Sequence, residues 1–390
     1  MVFTTSKIIQ SFQTSIFSEL AEHKKVKLAK GEPILDLSIG SPDLPPPNFI
    51  VDALVSNVQD PKQYGYTLSG TKAFHEAVLS FYTKHYGVIF DPENEIVQVA
   101  GSQDGLVHLP MAFADQGDVI LVPDPGYTAY DAGIKMAKAI SYPMPLSKEN
   151  DYLPDIESIP VEVAKKAKMM ILNFPGNPVP ALATKEFFQD VVAFAKRYNI
   201  IVVHDFAYSE LVFDGNKPIS FLEVEGALDV GVEFNSLSKS FNMAGCRIGY
   251  LIGNRQVIRV LAKLKSNLDY GIFAPIQNAA VAALLDGDDF LKENSKLYET
   301  RRDVLVDGLQ AIGWNIARPS ATMFCWAEIP RGYTTSTQFA IDLMDKAGVV
   351  VTPGNAFGEN GEGYVRMALV QSEETLREAV SRIKHSGIFK

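Results

Sequence analysis

The chain has 390 residues, long enough for two or three domains and a sizeable core, and at 47% hydrophobic and 21% charged it has an ordinary globular composition. A formal net charge of −10 excludes a general binder of nucleic acid or of an anionic membrane. Two cysteines, Cys246 and Cys325, are too few for a disulfide scaffold, no Cys/His cluster has zinc spacing, and no apolar run would span a bilayer; a reduced, cytoplasmic protein without a metal is expected.

In chain order, apolar positions at helical spacing predict a helix over 11–30 that stops at Gly31. A short strand over 34–38 runs into Gly40-Ser41-Pro42-Asp43-Leu44-Pro45-Pro46-Pro47, which its prolines keep out of regular structure. Helices are expected at 48–58 and 71–86, with Tyr64-Gly65-Tyr66-Thr67-Leu68-Ser69-Gly70 between them. Strands and helices then alternate: strand 96–100, helix 102–113, strand 119–122, helix 127–137, strand 169–172, helix 184–198, then strands 200–203 and 230–234. Short β-branched or apolar runs separated by helices imply a mostly parallel sheet buried on both faces. Long helices follow near 255–268, 274–285 and 288–312. The last third mixes strands at 323–327, 349–352 and 364–369 with helices at 336–347 and 373–385. The reading is an α/β fold with a large domain over 46–285 and a smaller α+β domain, in which an N-terminal arm (1–45) joins 286–390.

No strand–GxGxxG–helix fingerprint, GxxxxGK[ST] loop or GxSxG elbow is present, which removes the commonest α/β chemistries. The unusual stretch is Asn235-Ser236-Leu237-Ser238-Lys239-Ser240-Phe241, a lysine set among small or apolar residues after a strand, with Arg247 eight positions on. A lysine there can lose its proton and act as an amine nucleophile toward an aldehyde. Other loops at strand ends can converge on it. Ala100-Gly101-Ser102-Gln103-Asp104-Gly105 is a strand-to-helix turn whose amides could hold a phosphate, or is an ordinary turn. Tyr127 could stack on a planar ring or simply pack. Asn173 and Asn177, in a proline-rich loop, could donate to a ligand or cap turns. Asp205, after the apolar strand 200–203, needs either a partner or a chemical task.

The order of these features, from Ile39-Gly40-Ser41-Pro42-Asp43 through the loops above to Pro353-Gly354-Asn355-Ala356-Phe357-Gly358 and Tyr364-Val365-Arg366, resembles the class I/II aminotransferases over essentially the whole chain. It lies near the methionine, aromatic and LL-diaminopimelate branches. The resemblance implies the fold-type I architecture of enzymes that use pyridoxal 5′-phosphate, a large domain with a mostly parallel mixed sheet plus a smaller α+β domain. It implies Lys239 as the Schiff-base lysine and proton carrier, Asp205 beside the ring nitrogen, and Tyr208 with Asn177 at the phenolic oxygen. Tyr127 would stack on the ring. Ser102, Gln103, Ser236, Ser238 and Arg247 would hold the phosphate, joined by Tyr66, or else Tyr64, from the neighbouring subunit of a homodimer with shared active sites. Gly40, Asn177 and Arg366 would meet the substrate, Arg366 gripping its α-carboxylate. The expected activity moves an amino group between an L-amino acid, neutral or aromatic by preference, and a 2-oxo acid. A carbon–sulfur β-lyase shares most of these residues and is the rival reading; a non-catalytic regulatory module is a remote one. Three positions depart from the family pattern: Gly176-Asn177-Pro178-Val179-Pro180 in place of Asn-Asn-Pro-Thr-Gly, Cys246 where an aromatic is frequent, and Gly65 where a tyrosine is expected.

Overall fold

Among residues 3–12 and 16–389, which the computed structural model describes, the first strand is the short Leu35–Asp36 (β1). One large sheet follows from Ile96–Val99 (β2), Val119–Asp124 (β3), Ile140–Pro145 (β4), Ala167–Leu172 (β5), Ile201–Asp205 (β6), Gly231–Ser236 (β7) and Gly249–Gly253 (β8). Its order is β2-β8-β7-β6-β5-β3-β4. The pairings from β7 through β6, β5 and β3 to β4 are parallel, and β8 runs antiparallel to both its neighbours. The mostly parallel sheet is therefore as expected. Every residue of β2, β3, β7 and β8 is buried, because helices cover both faces. Phe74, Leu121 and Met170 pack one face; Val99, Ile120, Ile171 and Phe234 pack the other. Each such buried side chain contributes about 1.5–3 kcal/mol relative to exposure.

Helix limits follow the capping chemistry. The side chains of Thr71, Thr184, Thr335 and Ser372 each accept a hydrogen bond from a backbone N–H three residues on, and left-handed Gly87, Asn199 and Gly348 close three of these helices.

The sequence reading misses β8, which is too short a run before the helix at 255 to stand out, and the edge strand β4. The latter is largely exposed and holds Pro143 and Pro145, and an edge can accept prolines and polar positions that an interior strand cannot. The expected helix at 11–30 corresponds to Ile16–Ala29, a separate short helix Lys7–Ser11 precedes it, and residues 13–15 lie outside the described part. The expected strand at 349–352 is two pieces: Val349–Val350 pairs in parallel with β1, whereas Thr352–Pro353 joins the three-stranded antiparallel sheet of Phe324–Glu328 and Tyr364–Ala368. In chain order these strands are β9 (324–328), β10 (349–350), β11 (352–353) and β12 (364–368). Their core, with Leu305, Leu309, Phe324, Phe339 and Leu376, includes the long helix Asp288–Ala311 and the last helix, Glu373–His385.

The carboxyl ends of β2, β5, β6 and β7 lie on one side of the large sheet, and β12 with the segment after β1 closes over them. This is where an open α/β sheet places its ligand.

Candidate active site

Asp205 ends β6 and is 4% exposed. Its Oδ2 accepts a 2.8 Å hydrogen bond from the Tyr130 hydroxyl, while its Oδ1, also buried, has no hydrogen-bond partner among the described residues. Burial pushes the carboxyl's pKa up, and the Tyr130 bond opposes that rise. A buried carboxylate with one open oxygen calls for a cationic N–H opposite it. Asn173, at the end of β5, donates to the Asp205 carbonyl (2.7 Å) and accepts from the Asn177 backbone N–H (2.8 Å), so the β5 and β6 loops are bound to each other. Tyr208 follows Asp205 on the same turn, its ring edge-on to Phe324 at 5.7 Å and its hydroxyl's pKa raised by burial.

Lys239 lies in the four-residue helix Leu237–Ser240, started by Ser236, whose Oγ accepts from the Ser238 N–H (3.2 Å). Asn294 donates to the carbonyls of Lys239 and Ser240, fixing the backbone beneath the side chain. The ammonium donates to the Gly40 carbonyl at 2.6 Å and has no carboxylate partner among the described residues. Burial, helped by the positive charges of Arg366 and Arg247, lowers its pKa to about 8. Such a lysine is poised to be an amine near neutral pH.

The turn after β2 forms an anion cradle. Helix Ser102–Phe113 begins at Gly101 with no side-chain cap, so its first amides stay open to a ligand. Arg247 lies against this turn and donates to the carbonyls of Ala100 (3.2 Å) and Ala244 (3.1 Å), with no carboxylate near it among the described residues. Gly101 is required here: its φ is +78°, and a Cβ would come within 2.4 Å of the Arg247 guanidinium. Gln103 accepts from the Tyr127 hydroxyl at 3.3 Å.

Arg366, on β12, is 5% exposed and has no acidic partner among the described residues. It donates to Asn177 Oδ1 (2.7 Å) and the Ser38 carbonyl (2.6 Å), lies 4.3 Å from the Phe324 ring centroid, and leaves Nε unpartnered. Burial lowers its pKa to about 10. A buried, always-charged fork with only neutral partners suits a carboxylate supplied by a ligand.

These groups meet in a cavity of about 420 Å³ walled by Gly40, Ser102, Tyr127, Asn177, Asp205, Tyr208, Lys239 and Arg366, among others. Gln103 and Arg247 adjoin it through Tyr127 and the Gly101 turn. Ser236 and Ser238 are bonded to each other (2.9 Å) within the Lys239 turn rather than in the cavity wall. Tyr66 is 84% exposed, with its ring 5.0 Å from that of Tyr270, and Tyr64 donates to the Val58 carbonyl; neither reaches this cavity. Tyr130 is the Asp205 partner the sequence reading passed over. Asp205 needed a donor, but nothing singled out Tyr130 until the fold brought the two together. Pyridoxal 5′-phosphate fits this donor set. The open Asp205 oxygen suits its ring N–H, the amine its aldehyde, and the turn with Arg247 its phosphate.

Residues 32–383 match the family model described as "Aminotransferase class I and II". The chain is 44% identical to an LL-diaminopimelate aminotransferase of Moorella thermoacetica over 96% of each chain, and 44% identical to one of Desulforudis audaxviator over 98% of each. Among solved structures it resembles substrate-bound BacF from Bacillus subtilis (TM-score 0.94, 40% identity, 98% of each chain). It also resembles a mutant aspartate aminotransferase of Thermus thermophilus (TM-score 0.92, 26% identity, 99% of this chain and 100% of that one).

Proposed function

The chain belongs to the class I and II aminotransferases, which work with pyridoxal 5′-phosphate, and from that premise we propose that its donor is an L-amino acid whose side chain brings no net charge. The charge inventory of the cavity carries this reading: its lining cations are Lys239 and Arg366, and its one acid is Asp205. All three have work already, so among the described residues of one subunit no lining cation is left for the side-chain carboxylate of an acidic donor, whose burial unpaired is costly. The wall not assigned to the cofactor includes Ile39 and Phe357, which suits methionine, alanine or an aromatic donor. The names of the relatives favour a second reading, LL-diaminopimelate, whose distal ammonium and carboxylate would need partners beyond these lining residues.

In this reading Arg366 grips the α-carboxylate as a fork and fixes the orientation of Cα. Lys239 Nζ takes the Cα proton and later returns one, as a lysine with a pKa near 8 can at neutral pH. Asp205 Oδ1 holds a proton on the ring nitrogen, and Tyr208 and Asn177 donate to the phenolic oxygen; Asn177 Oδ1 is taken by Arg366, so Nδ2 is its donating end. The bound cofactor supplies an electron-withdrawing ring that stabilises negative charge at Cα.

A donor panel tests the proposal: methionine, alanine, phenylalanine, LL-diaminopimelate and aspartate, each with pyruvate and with 2-oxoglutarate as acceptor. One of the net-neutral donors should exceed aspartate in kcat/KM by about 100-fold, the scale set by an unpaired buried charge. Aspartate as the best donor would overturn the reading.

The same proposal includes a homodimer in which Tyr66 completes the partner's phosphate cradle. Its support is the cluster of exposed Tyr64, Tyr66, Leu68, Tyr270 and Phe273, in which Tyr64 lies against Phe273 and Tyr66 against Tyr270. Sedimentation should return twice the chain mass, and Tyr66→Phe should weaken cofactor binding by about fivefold, the worth of one hydrogen bond. A monomeric holoenzyme rules the arrangement out.

A further inference from the structure

The strip from Ser38 to Asp43 has no regular structure, yet it touches both cavity cations. Its Ser38 carbonyl accepts from Arg366 and its Gly40 carbonyl from Lys239, each at 2.6 Å. A Cβ on Gly40 would come within 3.0 Å of the Phe324 ring, the same ring that Arg366 lies over, so the strip and the arginine share one narrow space. A shift of the strip therefore moves the Arg366 fork.

Asp36 anchors the strip at its start by accepting from the Ser38 N–H and hydroxyl at 2.8 and 2.6 Å. At its far end Arg301, from helix Asp288–Ala311, grips Asp43 with both terminal nitrogens, at 2.7 and 2.8 Å. Arg301 is 4% exposed and also donates to the Leu369 carbonyl (3.1 Å), one residue past the strand that carries Arg366. One guanidinium thus binds the strip and the end of the Arg366 strand. The planar two-point grip fixes distance and angle together, which a lysine cannot do.

We propose that Asp43 and Arg301 are a positioning pair that sets the strip against Arg366 and so determines the affinity of the site for the carboxylate of donor and acceptor alike. Neither residue lines the cavity, and neither touches Lys239 or Asp205. The pair acts on binding geometry and leaves the proton transfer alone.

The inference rests on Arg366 as the carboxylate grip, and its test does not depend on which donor is correct. The holoenzyme is titrated with 3-phenylpropanoate, a carboxylate without an amino group, and binding is read from the visible spectrum. Asp43→Asn and Arg301→Lys should each weaken this binding about tenfold, with the unliganded visible spectrum close to wild type at a temperature where each variant is folded. Asp43→Glu should recover part of the loss. With the best donor of the panel, KM for donor and for oxo acid should rise together while kcat changes by less than about threefold. Unchanged carboxylate affinity in both variants overturns the pair's role, as does a variant that loses kcat and the visible band along with affinity. A wild-type protein that binds no carboxylate overturns the Arg366 assignment and this inference with it. A failed donor panel with carboxylate binding intact counts against the donor proposal alone.

Discussion

Lys239→Ala should remove the visible band that marks cofactor held on the lysine and lower turnover by at least ~10⁴-fold, because nucleophile and proton carrier are lost together. The loss should be local. Lys239 contributes one hydrogen bond, to the Gly40 carbonyl, and its charge is already disfavoured by burial beside two arginines. Removing it should leave the melting temperature of the apoprotein at or above that of wild type. The pH dependence has a definite sign: the neutral amine is the reactive form, and the amine's pKa is lowered to about 8. Capture of pyridoxal 5′-phosphate by wild-type apoprotein should accelerate roughly tenfold per pH unit up to about pH 8, then level off. An unperturbed lysine would keep accelerating past pH 10. Stopped-flow absorbance separates the two, and a continued rise to pH 10 refutes the depressed amine.

Asp205→Asn should cost about 10²–10³-fold in kcat, the loss usual when a charged group preorganised against developing charge is removed. The amide keeps the shape of the carboxylate but offers no negative charge to keep the ring nitrogen protonated, whereas Lys239 and Arg366 are untouched. Cofactor should still bind and show its band, shifted in wavelength or pH response. Tyr130→Phe is the graded companion. It removes the 2.8 Å donor on Oδ2 that holds the Asp205 carboxyl's pKa down against burial, and should cost about tenfold, as for one hydrogen bond to a charged group. Single-turnover kinetics with the best donor reads both. If Asp205→Asn has a wild-type rate, the unpaired oxygen has no catalytic partner and the ring-nitrogen assignment fails.

The two variants also mark how far the sequence could be read. Asp205 was legible because an acid ending a strand as apolar as Ile200-Ile201-Val202-Val203 is anomalous. Lys239 was legible for the same reason. Tyr130 was not, since a tyrosine on an amphipathic helix is ordinary until the fold brings it 75 residues along the chain to Asp205. Edge strand β4 was missed because its prolines and polar residues break the pattern by which interior strands are recognised. The long helices and the buried strands other than β8 came within a few residues of their limits, their caps and apolar runs being local properties.

Sequence alone determined what is local: the alternation that makes a mostly parallel sheet, and the order of chemical residues that marks an aminotransferase with its lysine, aspartate and two arginines. Only the tertiary structure decided which groups answer one another. It put the Gly40 carbonyl on Lys239, Asn177 on Arg366 and Arg301 on Asp43, contacts spanning 199, 189 and 258 positions of the chain. Such pairings cannot be read from spacing, because they depend on how the strand ends of one sheet converge and on what the segment after β1 is pressed against.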